Sequence, residues 1–262
     1  MDSIPLTVTV GRGQHVRVMG RQQRWRSWGV AAAVATAALV TGCDPLSTEP
    51  EPDAKASASP APASSAPGAG GEGSEEAESL PGLPGAEEAR HALDGLVVAE
   101  QGSMAGYSRD KFPHWSSHGD KCDTREMVLQ RDGSDVERDD QCRAVSGRWV
   151  SVYDGKAFID ASDLDIDHMV PLANAWRSGA KDWDQDKRKA FANDLTHPQL
   201  LAVSAATNRG KGDQGPEEWQ PPLESYWCVY GRAWTSVKST YGLSVTEDEK
   251  SMLVKMLDTC NA

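Results

Sequence analysis

The folded part of this 262-residue sequence predicts the α+β class, with more helix than strand. Helices are predicted where apolar side chains recur every three to four residues, which are segments 86–100, 171–179, 184–193, 223–239 and 247–258. Strands are predicted in short runs of apolar, β-branched or aromatic residues, which are segments 127–129, 149–153 and 157–159. Because the strands are few and short, most of the domain should be helical.

The predicted helices differ in how clearly the sequence marks them. The last one has the clearest start, because Thr246 followed by Glu249 forms a capping box. Segment 223–239 carries a stripe of large residues, which are Leu223, Tyr226, Trp227, Tyr230, Trp234 and Val237. Such a stripe can serve as a platform on which nucleic-acid bases stack, but packing in the core is the favoured interpretation.

Turn residues separate the predicted strands. Asp132-Gly133 and Asp154-Gly155 are both typical of tight turns between strands. Segment 101–125 contains Gly, Pro and Ser without apolar periodicity, and it is predicted to be irregular.

Residues 1–42 have the features of an export signal. A basic stretch at 21–28 precedes an apolar run at 30–40, which is shorter than the roughly 20 apolar residues that a membrane-spanning helix needs. The run leads into Val-Thr-Gly-Cys, ending at Cys43, which resembles the bacterial lipobox, whose cysteine is diacylated. The alternative is an ordinary signal peptide with an incidental cysteine. Met19 would start a signal of ordinary length. We therefore expect an exported protein, anchored by lipid to the outer face of the bacterial cell membrane, or secreted if Cys43 is not lipidated.

A tether and a domain follow the signal. Residues 43–87 are rich in Pro, Ala, Ser, Gly and Glu and are predicted to be disordered, leaving 88–262 as the folded domain. Much of the acidity lies in the tether: the chain has 27 Lys and Arg against 39 Asp and Glu, but residues 89–262 have 21 against 28. This mild negative charge argues against tight, extended binding to duplex DNA. It does not exclude a small active site that acts on nucleic acid.

Four cysteines remain once Cys43 is set aside, and an even number in an exported protein implies disulfides. Three pairings are open. The favoured one joins Cys122 to Cys142, which closes a loop, and Cys228 to Cys260, which joins two C-terminal helices. A zinc site is the competing interpretation, but none of these cysteines has the short spacing of structural zinc ligands.

One stretch of the sequence combines the groups that hydrolysis of a phosphodiester needs. Asp167 offers a hard oxygen ligand suited to Mg²⁺, and the adjacent His168 can take up a proton near neutral pH. Asn208 offers a second, neutral oxygen ligand. Arg209 and Lys211 bring positive charge to where a phosphate would lie. The stretch therefore supplies a base, a metal site and phosphate-binding cations.

These residues also resemble a known motif. Asp-His-Met-Val-Pro from 167, Asn193, and Asn-Arg-Gly-Lys from 208 resemble the ββα-metal motif of HNH (His-Me finger) endonucleases. The wider pattern is similar to the GmrSD-type HNH family, through Asp-His-x-Val-Pro-Leu-x-x-Ala-Trp from 167 and Gly-Pro-x-x-Trp-x-Pro-Pro over 215–222. The similarity covers roughly residues 88–262.

The resemblance implies a ββα-metal core within a mostly helical, disulfide-containing α+β domain. It implies that His168 is the general base that activates water, and that Asp167 and Asn208 hold one divalent ion. Mg²⁺ or Mn²⁺ is favoured because both ligands are hard oxygens. Asn193 would orient the two strands and His168 without reacting. The expected partners are nucleic acid, with DNA favoured over RNA, and the membrane through Cys43; no protein partner is predicted.

Several polar residues have a structural alternative to a functional role. Asn193 can simply end a helix. Asp163 and Asp165 share a strand face with Asp167, but solvated acids are favoured over auxiliary metal ligands. The remaining candidates are His197, as a spare ligand or phosphate contact, and the pair His114 and His118, as a second metal site; surface positions are favoured for all three.

Two other functions compete with a nuclease. A catalytically inactive cell-surface lipoprotein would use the same fold for binding, and the mild negative charge favours it. A metal-dependent phosphomonoesterase fits the predicted parts less well.

Overall fold

The computed structural model describes residues 80–261. Within that part, helices α1 to α7 span Ala86–Asp94, Thr124–Asp132, Leu172–Arg177, Gln185–Ala192, Ala205–Lys211, Trp227–Tyr241 and Glu247–Asp258. Strands β1 to β5 span Ser134–Arg138, Ala144–Val150, Ala157–Phe158, Leu164–His168 and Leu200–Ser204. Short 3-10 turns occupy Arg109–Lys111, Ala161–Asp163, Ala180–Asp182, Glu224–Tyr226 and Thr259–Asn261. The predicted mixture of helix and sheet is confirmed.

The strands of this part form two small antiparallel sheets. β1, β2 and β3 lie side by side in that order, and β4 pairs with β5 separately. In the second sheet Asp167 lies opposite Leu201, and His168 lies opposite Leu200. Every residue of β5 is buried, so this pair lies inside the domain. Ser204 ends β5 and also caps α5 with its side chain, so the helix follows the strand without a loop.

The prediction of a strand at 127–129 is wrong, because these residues lie in the middle of α2. Asp123 caps this helix by accepting a hydrogen bond from the backbone N–H of Glu126. Val128 and Leu129 are buried against Trp149, whose indole N–H donates to the carbonyl of Leu129 at 2.8 Å. A three-residue apolar run carries too little periodicity to separate helix from strand.

The predicted helices 171–179 and 184–193 and the predicted strand 157–159 agree with the structure apart from their ends. β2 overlaps the predicted strand 149–153 only at residues 149 and 150, and β1 was not predicted. α1 ends at Asp94, before the predicted end at 100, because Gly95 follows it as the C-cap. The predicted helix 223–239 begins with a 3-10 turn and continues as Trp227–Tyr241. α7 matches the predicted bounds, and both hydrogen bonds of its capping box, between Thr246 and Glu249, are present.

The main core is built around α6. Tyr230, Trp234 and Val237 have no exposed surface, and Tyr226 just before the helix is also buried. This confirms that the aromatic stripe packs in the core, since rings without exposed surface cannot stack on nucleic-acid bases. Leu223, predicted to be on the stripe, is 40% exposed and lies outside it.

Both predicted disulfides are confirmed. Cys122 and Cys142 join the segment before α2 to the turn between β1 and β2. Cys228 in α6 joins Cys260, which lies in the 3-10 turn after α7. Four thiols consumed in two disulfides leave no cysteine of this part for the alternative zinc site.

The predicted export signal, Cys43 and all but the end of the predicted tether lie outside the described residues. Within residues 80–261, no helix has the length and apolar character needed to cross a membrane.

Candidate active site

The site is built where β4 ends. The backbone N–H of Met169 donates to the carbonyl of Gln199, and the Gln199 side chain makes two further hydrogen bonds to the backbone of Val170. These bonds fix the chain directly after Asp167 and His168. α5 then packs against β4 and β5, bringing Asn208 beside the strand. Three of the predicted site residues are therefore positioned by buried backbone pairing and one helix.

His168 is buried, with 4% of its surface exposed, and its ring orientation is fixed. Nε2 lies 3.0 Å from the carbonyl oxygen of Ala192, which can only accept, so Nε2 carries the proton and Nδ1 keeps a lone pair. Burial lowers the pKa of His168 to about 3. The imidazole is consequently neutral at pH 7, which is the form that can accept a proton.

Asn193 ends α4 and ties it to the loop beside His168. Its side-chain oxygen accepts from the backbone N–H of Ser116 at 2.7 Å and from the hydroxyl of Thr124 at 2.8 Å. Its amide group donates to the carbonyl of Pro113 at 2.8 Å and to that of Lys189 at 2.7 Å. The next residue back, Ala192, holds His168. Asn193 is thus both the helix cap and a support for the histidine.

Trp115 lies on the loop that Asn193 holds. Its ring stacks on the imidazole of His168, with ring centroids 5.8 Å apart and planes 20° apart. The sequence reasoning missed Trp115, because it lies more than fifty residues before the motif in a segment without periodicity.

Asp167 is buried and engaged on one oxygen only. Oδ2 accepts from the hydroxyl of Tyr153 at 2.6 Å and from the ammonium of Lys211. No side chain or backbone group donates to Oδ1 among the described residues, and Asp167 lines a pocket. The pKa of Asp167 is raised above its ordinary value, because the effect of burial outweighs the opposing effect of Lys211. Tyr153 and Lys211 therefore hold the carboxylate through Oδ2, and Oδ1 is left for a ligand.

Lys211 does not fit its predicted contact with a substrate phosphate. Its side chain has no exposed surface, and the ammonium donates to Asp167 and to the carbonyls of His168 and Met169, the latter two at 2.9 Å. Three acceptors satisfy all three N–H bonds of an ammonium. Lys211 therefore supports Asp167 from inside the domain.

Asn208 and Arg209 both contact Asp165. The amide group of Asn208 donates to its carboxylate at 3.2 Å, and no group in the described part of the chain donates to the amide oxygen. Arg209 is 74% exposed and its Nε lies 3.4 Å from the same carboxylate. Asp165 is partly exposed and does not line the pocket, and it contacts the two residues on α5.

These groups meet at a pocket of about 250 Å³. Four of the predicted site residues line it, which are Asp167, His168, Asn208 and Arg209. Tyr107 and Arg109 from the irregular segment before α2 also line it, and the sequence reasoning missed both. No motif surrounds these two residues, so only the fold reveals that they are near the site.

The other proposed ligands lie elsewhere. Asp163 is exposed in a 3-10 turn, and His197 pairs with Asp194 at 2.7 Å, away from the pocket. His118 bonds to Thr124, and His114 lies between Phe112 and Arg109. Within residues 80–261, no three His, Cys, Asp or Glu side chains converge as a metal-binding group.

The oxygen atoms at the pocket are suited to a hard divalent ion. Among residues 80–261, no group donates a hydrogen bond to Oδ1 of Asp167 or to Oδ1 of Asn208, and both residues line the same pocket. Two oxygen ligands from protein, completed by water and substrate oxygens, are typical of Mg²⁺ sites.

Comparison with known proteins gives a family and a relative. Residues 123–256 match the family described as "GmrSD restriction endonucleases, C-terminal domain". The chain is also similar to a protein of Arthroderma benhamiae named "Uncharacterized secreted protein", with 57% identity over 180 residues, covering 69% of this chain and 88% of the relative. No solved structure matches the chain.

Proposed function

We propose that this chain, which belongs to the family of GmrSD restriction endonuclease C-terminal domains, is an exported, metal-dependent HNH-type nuclease. The family is one of nucleases, so a nuclease-type activity is the premise. The proposal adds the hydrolysis of phosphodiester bonds in DNA, and of RNA as a second substrate, at the pocket beside His168. The observation that carries it is a neutral, oriented histidine sharing one pocket with two free oxygen ligands and an arginine.

In this proposal His168 is the general base. The bond from Nε2 to Ala192 leaves Nδ1 to take the proton from the attacking water. Trp115 covers one face of the ring, which limits how it can turn. Asn193 acts as a positioning residue, since it fixes the loop carrying Trp115 and the helix end carrying Ala192.

Asp167 and Asn208 would hold one ion, Mg²⁺ or Mn²⁺. When bound, such an ion supplies positive charge that stabilises the charge developing on the phosphate. The strands β4 and β5 followed by α5 would then form a ββα-metal core. Lys211 and Tyr153 keep Oδ2 of Asp167 occupied, which directs Oδ1 toward the ligand. Arg209 faces solvent at the pocket and is the predicted phosphate contact that remains.

Two observations support an extracytoplasmic location. Disulfides persist in oxidising compartments, and the chain has two. The relative from Arthroderma benhamiae is named a secreted protein. The lipid anchor at Cys43 is a further proposal that depends on the sequence alone, and mass spectrometry of the mature N-terminus tests it: a diacylated Cys43 supports the anchor, and an unmodified cysteine or an N-terminus elsewhere excludes it.

The nuclease activity is tested by incubating plasmid DNA with the protein, with and without Mg²⁺. The wild type and His91→Ala, which removes an exposed histidine of α1, should both cut the plasmid when Mg²⁺ is present. His168→Ala should not. Equal inactivity of all three proteins would contradict the nuclease and favour the binding lipoprotein. Cutting by His168→Ala at the wild-type rate would contradict the assigned base.

A further inference from the structure

We infer that Arg109 forms a second phosphate-binding subsite of the pocket and takes a backbone phosphate of the nucleic-acid strand. This inference rests on the proposed nuclease function. Arg109 precedes residues 123–256, which match the family model, and it is not among the residues of the HNH-like motif. It lines the same pocket as Asp167 and His168.

The segment that carries Arg109 is anchored at both sides. Tyr107 packs edge-on against Trp176, with ring centroids 5.8 Å apart. Phe112 has no exposed surface and packs against Trp176 and Phe191. The 3-10 turn Arg109–Lys111 lies between these two anchors, so the backbone of Arg109 is fixed relative to the core.

His114 orients the guanidinium. Nδ1 of His114 lies 2.7 Å from the carbonyl oxygen of Phe112, so the proton of the neutral ring is on Nδ1 and Nε2 is an acceptor. Nε of Arg109 donates to that Nε2 at 3.3 Å. The bond uses the inner N–H of the guanidinium and leaves both terminal amino groups, which can bind two oxygens of one phosphate.

Arg109 differs from the other cations near the pocket by lacking an acidic partner in the described part of the chain. Arg209 lies beside Asp165, Arg177 pairs with Asp213 at 2.6 Å, and Lys211 is buried with Asp167. An exposed guanidinium with a fixed orientation and no counter-charge is suited to an anionic ligand.

Aromatic contacts also connect the Arg109 subsite to His168, the proposed base. His114 packs edge-on against Trp115, with centroids 5.2 Å apart, and Trp115 stacks on His168. Asn193 fixes the backbone on both sides of these two aromatic residues through Pro113 and Ser116. A phosphate bound by Arg109 would thus be held at a set position relative to the histidine. Arg109 and Arg209 line the same pocket from different elements.

The test measures binding of a fluorescent single-stranded oligonucleotide in the His168→Ala background, where cutting does not interfere. Adding Arg109→Ala should weaken binding about tenfold at ~0.1 M salt. It should also reduce the slope of log K against log salt by about 0.7, the value for one lost phosphate contact on a single strand. Arg148→Ala is the control, because this arginine is 71% exposed, pairs with Asp135 and does not line the pocket.

His114 variants test the orientation. His114→Gln keeps an acceptor near the position of Nε2 and should bind better than His114→Ala. An unchanged salt slope in Arg109→Ala would overturn the subsite, because losing a phosphate contact must reduce the number of counterions that binding releases. Equal effects of Arg109→Ala and Arg148→Ala would overturn it as well.

A cleavage assay with otherwise wild-type protein separates this inference from the proposed function. If the wild type cuts and Arg109→Ala cuts with an unchanged KM, the subsite is wrong and the nuclease stands. If the wild type does not cut with Mg²⁺ or Mn²⁺, the proposed function fails, whatever the binding data show.

Discussion

At the scale of single residues, burial of the Lys211 side chain determines that it supports Asp167 and does not contact a phosphate. Its ammonium lies 5.7–5.8 Å from the ring centroids of Tyr153, Tyr230 and Trp234, and its charge is balanced by Asp167. The sequence predicted a contact with the phosphate, because Lys211 is a cation two residues after Arg209 in the motif. The burial comes from α6, which no local pattern around Lys211 indicates.

Lys211→Met should destabilise the fold. The substitution keeps the volume but leaves the carboxylate of Asp167 buried without its partner, which costs about 3–5 kcal/mol. Urea unfolding at neutral pH measures this loss. Arg209→Ala is the comparison, and its free energy of unfolding should change by less than about 1 kcal/mol, because its side chain is mostly exposed. A Lys211→Met protein of wild-type stability would contradict the supporting role assigned to Lys211.

The site residues fall into two groups, those in local sequence motifs and those that only long-range contacts bring to the pocket. Asp167, His168 and Asn208 were found from sequence because they lie in two short stretches, Asp-His-Met-Val-Pro and Asn-Arg-Gly-Lys, that resemble a known motif. Arg109 and Trp115 were not, because they approach the pocket only through the packing of Phe112 and the bonds of Asn193. Long-range contacts of this kind leave no periodicity to detect.

At the scale of elements, polar side chains join the ends of helices to the loops beside them. Asn193 does this at the end of α4, and Asp194 does it one residue later. Oδ1 of Asp194 accepts from the backbone N–H groups of Thr196 and His197, and Oδ2 accepts from the Tyr241 hydroxyl at 2.8 Å and from His197. These bonds connect α4, the loop before β5 and the last residue of α6.

Asp194 should make the free energy of unfolding depend on pH. Burial raises its pKa, but the hydrogen bonds from Thr196, Tyr241 and His197 outweigh burial and leave the pKa below the ordinary value. A carboxyl with a lowered pKa in the folded state stabilises the fold above its unfolded pKa and loses that contribution as pH falls through the folded one. Asp194→Asn should therefore be less stable than wild type at pH 7, with the difference shrinking below about pH 4.

Urea unfolding of wild type and Asp194→Asn across pH 2–7 measures this, with Asp163→Asn as the exposed control. A stability difference that stays constant over the whole pH range would contradict the assignment to the charge of Asp194.

Among the elements themselves, long amphipathic helices with caps were predicted well and short strands were not. α7 has its capping box and twelve residues of pattern. The segment 127–129 offered three apolar residues, and its helix depends on a cap at Asp123 and on burial against Trp149. The strands β4 and β5 were not among the predicted strand segments, although Leu164-Asp165-Ile166-Asp167 alternates apolar and polar side chains. The family resemblance implied two paired strands without giving their bounds, and the structure shows the pair.

At the scale of the whole molecule, two disulfides restrain different regions. Cys122 precedes α2, whose Thr124 bonds to Asn193, so this disulfide is connected to the site. Cys228 and Cys260 join α6 to the C-terminal turn, and neither lines the pocket. The two disulfides should therefore differ in their effect on activity.

The double variant Cys228→Ala/Cys260→Ala should lose about 3–4 kcal/mol of stability, as expected for a closed loop of this length, while keeping its cleavage rate. Cys122→Ala/Cys142→Ala should lose similar stability and also cut more slowly. Thermal unfolding and plasmid cleavage below the unfolding temperature measure both properties. Equal cleavage rates for the two double variants would contradict the link between Cys122 and the site.

The proposed function requires that His168 is the base and that Asp167 and Asn208 hold the ion. Single-turnover cleavage of a defined oligonucleotide, combined with calorimetric titration of Mg²⁺, tests it most directly. His168→Ala should lower the rate by about 10²–10⁴ with Mg²⁺ affinity unchanged, whereas Asn208→Ala should weaken Mg²⁺ binding. His168→Ala cutting at the wild-type rate, or Asn208→Ala binding Mg²⁺ as tightly as the wild type, would contradict the claim.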